Sequence, residues 1–419
     1  MTNPAKKKAL VAVVHQELSE SYNAYSEKDL HTVKEMLLKS LQLINFSPDR
    51  FRGLKQVIIK PNIVEVPYQA TDGSVITDPR VLEAFIQILK DYGVQRVVVA
   101  EGRSVNMRYE DFRPEDVFEK TGLAEVIKRS GGGIIGWDEP DYVEIDNPGA
   151  ELLPRINVPK SILDSDMFVS IPKMKTHCQT EITVGIKAMQ GVYSVTDKIR
   201  FHNEAFPWKM IDILRVIPPH LTIADALIAG EGYGPIYSQP VRMDMIVVSE
   251  DVVALDAVCS YLMGIDPDEV PMTRLGHSEG IGIGDLSQIE IKGEDIEAVK
   301  KYFKRSAMLW NPIGASKNVR IFAGGACRFC LAQVGASLMR LKFEGLLDKF
   351  KEDIKVVVGY NLPDTPKKYE HVYVIGDCAK NYLESLGKLE GTVVEGCPPL
   401  PSKQIYELFL KHINKGEKE

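Results

Sequence analysis

The chain has 419 residues, long enough for roughly two to three domains and a large buried core. Hydrophobic residues make up 44% and charged residues 26%, which excludes wholesale disorder and a small disulfide-stapled scaffold. With 51 Lys plus Arg against 58 Asp plus Glu, the formal net charge is −7, so no nucleic-acid partner is expected.

No stretch approaches the roughly 18 uninterrupted apolar residues of a membrane span, because the greasiest region, Met245 to Ile265, carries Glu250, Asp251 and Asp256. Lys6, Lys7 and Lys8 before Ala9 to Val14 mimic a secretory leader, but His15 and Glu17 end the apolar run too early. Leu10 to Val14 therefore reads as a first strand. Six cysteines in so long a chain do not form a secreted disulfide framework, and a cytoplasmic protein whose thiols serve a metal is expected.

Apolar strands then alternate with amphipathic helices. Ser26 caps a helix with Glu27 and Asp29 in its first turn and Val33, Met36, Leu37, Leu41 and Ile44 at helical spacing. Val57 to Lys60 is a strand, Asp78 and Pro79 open a second helix that Gly93 ends, and Val97 to Ala100 is a strand exiting through Glu101 and Gly102. Residues 134–170 are strand-like and punctuated by Pro140, Pro148, Pro154 and Pro159, which predicts an inserted β-rich lobe. Phe168 to Ile171 is a strand running into a polar loop, Pro172 to His177. A helix at Trp208 to Ile217, strands at Leu221 to Ala224 and Met243 to Val248, and a helix at Val252 to Met263 resume the alternation, followed by a charged helix at Glu294 to Lys304.

The fold class predicted is α/β: a domain at 1–305 with a mostly parallel or mixed sheet and the 134–170 insertion, then a smaller α/β module at 316–413 and a frayed tail at 414–419. In the module, strands are expected at Val319 to Phe322, Ile354 to Val358, Val372 to Ile375 and Thr392 to Glu395, with helices at about Leu331 to Phe343 and Ser402 to Ile413.

The strongest chemical signal is Gly324–Gly325–Ala326–Cys327–Arg328–Phe329–Cys330, with Gly376–Asp377–Cys378 and Gly396–Cys397–Pro398–Pro399. Each cysteine follows an expected strand. If those strands run parallel, Cys327, Cys330, Cys378 and Cys397 gather at one sheet edge, where α/β folds bind ligands. Helices starting there stabilise thiolates, as do Arg328 and Lys380 if they point inward. Four thiolates hold either a [4Fe-4S] cluster or Zn²⁺. Structural zinc sites usually pair two short Cys knuckles, whereas here only one pair is close, and the glycines and the Cys-Pro step suit a cluster. Cys259 reads as a core residue; Cys178, beside His177, is less easily assigned to the core. The Gly-Cys-Pro-Pro segment with its upstream CxxC and middle Cys also resembles the cluster-binding pattern of nickel–iron hydrogenase small subunits and of the complex I subunit that carries its terminal cluster.

Pro172–Lys173–Met174–Lys175–Thr176–His177, Lys187–Ala188–Met189–Gln190–Gly191, Lys60–Pro61–Asn62, Thr77–Asp78–Pro79, Ala100–Glu101–Gly102, and Ala224–Asp225 with Val252 to Asp256 together resemble the domain of unknown function 362 family over roughly residues 50–290. In that family the domain often accompanies iron–sulfur segments, and no reaction is assigned to it. The tandem C-x₂-C-x₂-C insert that is usual there is missing, so a cluster would belong to the C-terminal module. The family is distantly similar to the lactate racemase group, in which Lys and His hold a nickel-pincer nucleotide; Lys187, His177 and His202 are residues of those types here.

His177, Lys175 and Lys187 are the candidate catalytic residues. Lys60, Asn62, Lys173, Asp225, Glu231 and Asp256 are candidate ligand-binding residues, the lysines forming a cationic cleft for a small anionic substrate. The acidic groups are expected to bind Mg²⁺ or to orient the lysines through ion pairs. The function expected is an iron–sulfur redox protein acting on a small anionic substrate or a redox partner protein. Two alternatives stand beside it: a racemase or isomerase of small hydroxy acids with a structural metal, and a binding or assembly module without turnover.

Overall fold

Runs of Val, Ile and Ala that would be buried on both faces demand a sheet covered on both sides. The computed structural model, which describes residues 8–19, 26–63, 72–104, 113–138, 141–306, 318–360 and 369–415, builds two such sheets. The chain divides into one unit of Met1–Ser104, Tyr109–Lys198 and Pro207–Arg305, and a second of Val105–Arg108, Ile199–Phe206 and Ser306–Glu419.

The first unit contains β1 (Ala9–His15), β2 (Gln56–Pro61), β3 (Arg96–Gly102), β4 (Gly133–Trp137), β5 (Tyr142–Asp146), β6 (Arg155–Pro159), β7 (Met167–Ile171), β8 (Lys173–His177), β9 (Glu181–Thr183), β10 (Leu221–Tyr233), β11 (Tyr237–Ser249) and β12 (Ile289–Gly293). The main sheet runs β12-β1-β11-β10-β7-β2-β3-β4, with β8 paired to β10 and β9 to β8. From β10 to β4 the pairing is parallel, while β10 with β11 and β11 with β1 are antiparallel, so the sheet is mixed, as the alternation predicts. Local signals place the helices. Ser26 caps Glu27–Leu43, Asp78 caps Pro79–Asp91, and Asp251 caps Val252–Leu262, each accepting a backbone N–H of the first turn.

Three segments depart from the sequence expectation. Within 134–170 only β5 and β6 form a separate antiparallel pair; β4 and β7 belong to the main sheet. Residues 173–177 are a buried strand rather than a polar loop. The long β10 offers a free ladder beyond its two-residue pairing with β7, and β8 takes it up, Pro172 marking the break. Of 294–304, only Ile296–Val299 is helical; beyond it Lys301 and Phe303 donate to the Leu262 and Met263 carbonyls, tying the chain across the end of the Val252–Leu262 helix.

The second unit has β13 (Val319–Phe322), β14 (Ile354–Val358), β15 (His371–Ile375) and β16 (Thr392–Val394), all parallel and in sequence order. Helix Arg328–Phe343 and helix Lys403–Lys415 pack on it through Val334, Leu338, Leu341, Ile405 and Phe409. Asn414 and Lys415 continue the last helix; 416–419 lie outside the described residues, as do 307–315 of the linker expected at Ser306 to Ala315.

Candidate functional site

Strands β2 and β7 are parallel neighbours, with Pro61 opposite Ile171, yet the chain leaves β2 towards β3 on one side and β7 towards β10 on the other. At such a reversal α/β sheets bind ligands, in the crevice outside the carboxyl ends of the strands. Here those ends are Lys60–Pro61–Asn62 and Ile171–Pro172–Lys173, all buried. Thr77 stitches the two ends, donating its hydroxyl to the Ile171 carbonyl (2.7 Å) and accepting the Asn62 N–H (2.8 Å). The Asn62 Oδ1 is buried without a hydrogen-bond partner.

The lysines gathered here do not form an open cationic surface; the fold neutralises most of them. Lys60 donates to Glu101 (2.8 Å) and to the Pro61 carbonyl, with both charged side chains nearly inaccessible. Gly191 covers this pair so closely that a Cβ there would lie 2.1 Å from Glu101 Oε1 and 2.5 Å from Lys60 Cε. Lys173 pairs with Asp225 at 2.6 Å, both fully buried, and Asp225 also accepts the Asp78 and Leu227 N–H groups. Lys175 donates to the Val75 and Pro235 carbonyls; burial, reinforced by the charges of Lys187 and Lys173, pushes its amine well below the usual lysine range.

Lys187 is different. It lies on the short helix Gly185–Ala188, partly accessible, with no hydrogen bond or ion pair among the described residues. Desolvation, with the Lys60 charge behind it, lowers its amine to about 8, against the opposing influence of Cys178 and Glu101. The buried His177 accepts the Gln179 N–H at Nδ1 (3.0 Å), and Cys178 is buried beside it. Glu101, which the sequence marked as a strand exit and as part of a family motif but not as a site residue, is the acidic member of this group.

The remaining acidic candidates have structural work. Asp256 accepts the N–H groups of Gly185 (2.7 Å) and Ile186 (3.1 Å), holding the turn that carries Lys187, and burial raises its carboxyl to about 7. Glu231 binds Lys304, through both its side chain (3.0 Å) and its backbone N–H, rather than any lysine of the crevice. His202 falls in the second unit, its ring edge-on to Phe206 and Phe329.

In the second unit the parallel sheet brings the ends of β13, β15 and β16 to one edge, and with them the cysteines. Cys327 is the N-cap residue of helix Arg328–Phe343 and Cys330 lies in its first turn. The Cys330 thiol donates to Cys327, and this, with smaller help from the Cys330 and Phe329 backbone N–H groups, lowers Cys327 to about 6. Cys330 is driven upward, first by Cys327 and by burial, then by the charges of Cys397 and Cys378, so this one sulfur feels the other three. Gly376, at φ +89°, follows β15, and a Cβ there would stand 2.9 Å from Cys330 Sγ. Asp377 ties the β15 and β16 exits together, accepting the Gly396 N–H (2.7 Å) and donating its own to the Gly396 carbonyl (3.1 Å). All six cysteines are free thiols. No three of the four sulfurs lie within 4.8 Å of one another.

Residues 57–261 match the family model described as Domain of unknown function (DUF362). The matched segment runs from β2 to the Val252–Leu262 helix and contains Lys60, Glu101, Lys173, Lys187 and Asp225. Thylakoid-associated protein sll1697 of Synechocystis sp. is 25% identical over 222 residues, which are 52% of this chain and 65% of that protein. Among solved structures, the lactate racemase apoprotein from Thermoanaerobacterium thermosaccharolyticum aligns over 63% of this chain and 60% of its own at 13% identity, with a TM-score of 0.39. A structural-genomics protein from Thermotoga maritima aligns over 94% of this chain and 95% of its own at 11% identity, with a TM-score of 0.38. No described helix is long and apolar enough to cross a membrane.

Proposed function

We propose that this is an iron–sulfur protein with a redox role, its second unit binding a [4Fe-4S] cluster through Cys327, Cys330, Cys378 and Cys397, and its DUF362 segment binding a small anionic substrate in the crevice beside Lys187. The observation that carries the reading is the gathering of the four thiols at the exits of parallel strands, where Cys330 feels Cys327, Cys397 and Cys378. Only Cys327 and Cys330 form a short knuckle, while Cys378 and Cys397 come singly, a pattern that suits a cluster better than the two paired knuckles usual in structural zinc sites.

Bound there, a cluster supplies one-electron storage. The protein's part is to hold its ligands ready. The pairing of Cys327 with Cys330 makes one thiolate available near neutral pH, and Gly376 lets the β15 exit lie against Cys330. In the crevice, an amine lowered to about 8 is charged at neutral pH and unpaired, so it attracts an anion and readily gives up a proton. That same property favours the second reading, an isomerase or racemase of small hydroxy acids in which Lys187 moves the proton and the metal is structural.

Anaerobic purification tests the proposal. The expected protein is brown, absorbs near about 400 nm, bleaches with dithionite and carries iron and sulfide in equal amounts. C397S should lose most of the iron and K187A should keep it. A colourless protein with stoichiometric zinc refutes the redox reading and leaves the isomerase one.

A further inference from the structure

A second side-chain cluster lies at the opposite edge of the small sheet. Glu352 lies two residues before β14, His371 is the first residue of β15, and His412 sits in the last turns of helix Lys403–Lys415. Ile354 pairs with His371 in the parallel register, so both strands start at this edge, while the cysteines follow the strand exits. The residues are separated by 19 and 41 positions in the chain, and only the fold brings them together. Glu352 Oε2 is 2.7 Å from His371 Nε2 and 3.4 Å from His412 Nε2, and the ligand atoms of all three lie within 4.8 Å of one another.

We propose that Glu352, His371 and His412 form a Zn²⁺ site distinct from the cysteine site. Two imidazoles and one carboxylate are a donor set of the three-ligand open zinc site, in which water takes the fourth position. Arms of about 2.0–2.1 Å place tetrahedral ligand atoms about 3.4 Å apart, so modest side-chain rotation converts the observed spacings into that geometry. The cluster is also supported from behind. His412 Nδ1 is 3.1 Å from the Tyr373 hydroxyl, and its ring packs against those of Phe350 and Tyr373. A ring Nδ1–H donating to the phenol oxygen leaves the Nε2 lone pair facing Glu352 and His371, the support that zinc-bound histidines generally have. The two imidazoles stand edge to face at 4.3 Å, so neither blocks the other's nitrogen. His371 and Glu352 are 45% and 47% exposed, which gives an ion a direct path from solvent.

The test compares zinc bound per chain, by equilibrium dialysis and metal analysis, in the full-length anaerobic protein and in H371A, E352Q and Y373F. Zinc taken up by thiols is common to all four and cancels in the difference. The wild type should bind one equivalent more than H371A and E352Q, and Y373F should bind that equivalent about 10-fold more weakly. In the wild-type-minus-H371A difference spectrum, added Co²⁺ should give weak visible bands without a sulfur charge-transfer band. The exposed His371 leaves the fold intact when removed, which an unchanged melting curve of the metal-free variant checks; E352Q, which keeps the side-chain shape, decides if H371A does not fold. Equal zinc content in wild type and E352Q overturns the proposal and leaves the cluster as a hydrogen-bonded ion pair.

Discussion

Replacing Lys187 by Met should stabilise the protein at neutral pH and cease to do so in alkali. The folded state lowers this amine from 10.5 to about 8, a preference for the neutral form that corresponds to about 3 kcal/mol; the partial access of water to the side chain reduces it to about 2 kcal/mol. Below pH 8 the amine is charged whether the chain is folded or not, so folding bears the full cost. Between pH 8 and 10.5 the unfolded chain keeps a proton that the folded chain has released, and the wild type becomes more stable as the pH rises. Met has the length of the lysine stem and no charge, and it escapes the cost at every pH. Urea unfolding followed by fluorescence of Trp137 and Trp208 should therefore show K187M about 2 kcal/mol more stable than the wild type at pH 7, with the gap closing by pH 10.5. An equal stability at pH 7, or a gap that persists unchanged at pH 10.5, refutes the assignment of Lys187 as an uncompensated, desolvated cation.

Two further substitutions test the elements around the sites. K173M leaves Asp225 buried without its cation and should cost about 3–5 kcal/mol in urea unfolding, whereas K173M/D225L, which removes both charges, should recover most of the loss. G376A places a methyl 2.9 Å from Cys330 Sγ at a backbone φ of +89° that only glycine adopts readily, so iron bound per chain should fall well below the wild-type level while the first unit's unfolding is unchanged.

Much of the second unit is legible in the sequence because its cysteines are punctuated locally. A glycine, a cysteine and a preceding apolar run announce the exits of β13, β15 and β16, and parallel strands have no choice but to bring their exits to one edge. The first unit is less transparent. Lysines at 173 and 175 read as a polar loop because isolated lysines favour water, yet the unpaired ladder of β10 and the carboxylate of Asp225 draw that segment into the sheet. Glu231 and Lys304 illustrate the same limit, since an acidic residue among glycines gives no sign of which distant cation it meets.

What the sequence by itself determined is periodic and short-range: strands of β-branched residues, helices opened by Ser26, Asp78 and Asp251, and the four cysteines placed after their strands. Strand order, and everything that follows from it, was decided by tertiary structure alone. The reversal between β2 and β7, the pairing of Lys60 with Glu101, the isolation of Lys187, and the meeting of Glu352, His371 and His412 each depend on contacts across many residues of chain. Burial sets the charge state of a lysine or carboxyl through the water it loses and the neighbours it gains, and neither is encoded within a few residues of the group itself.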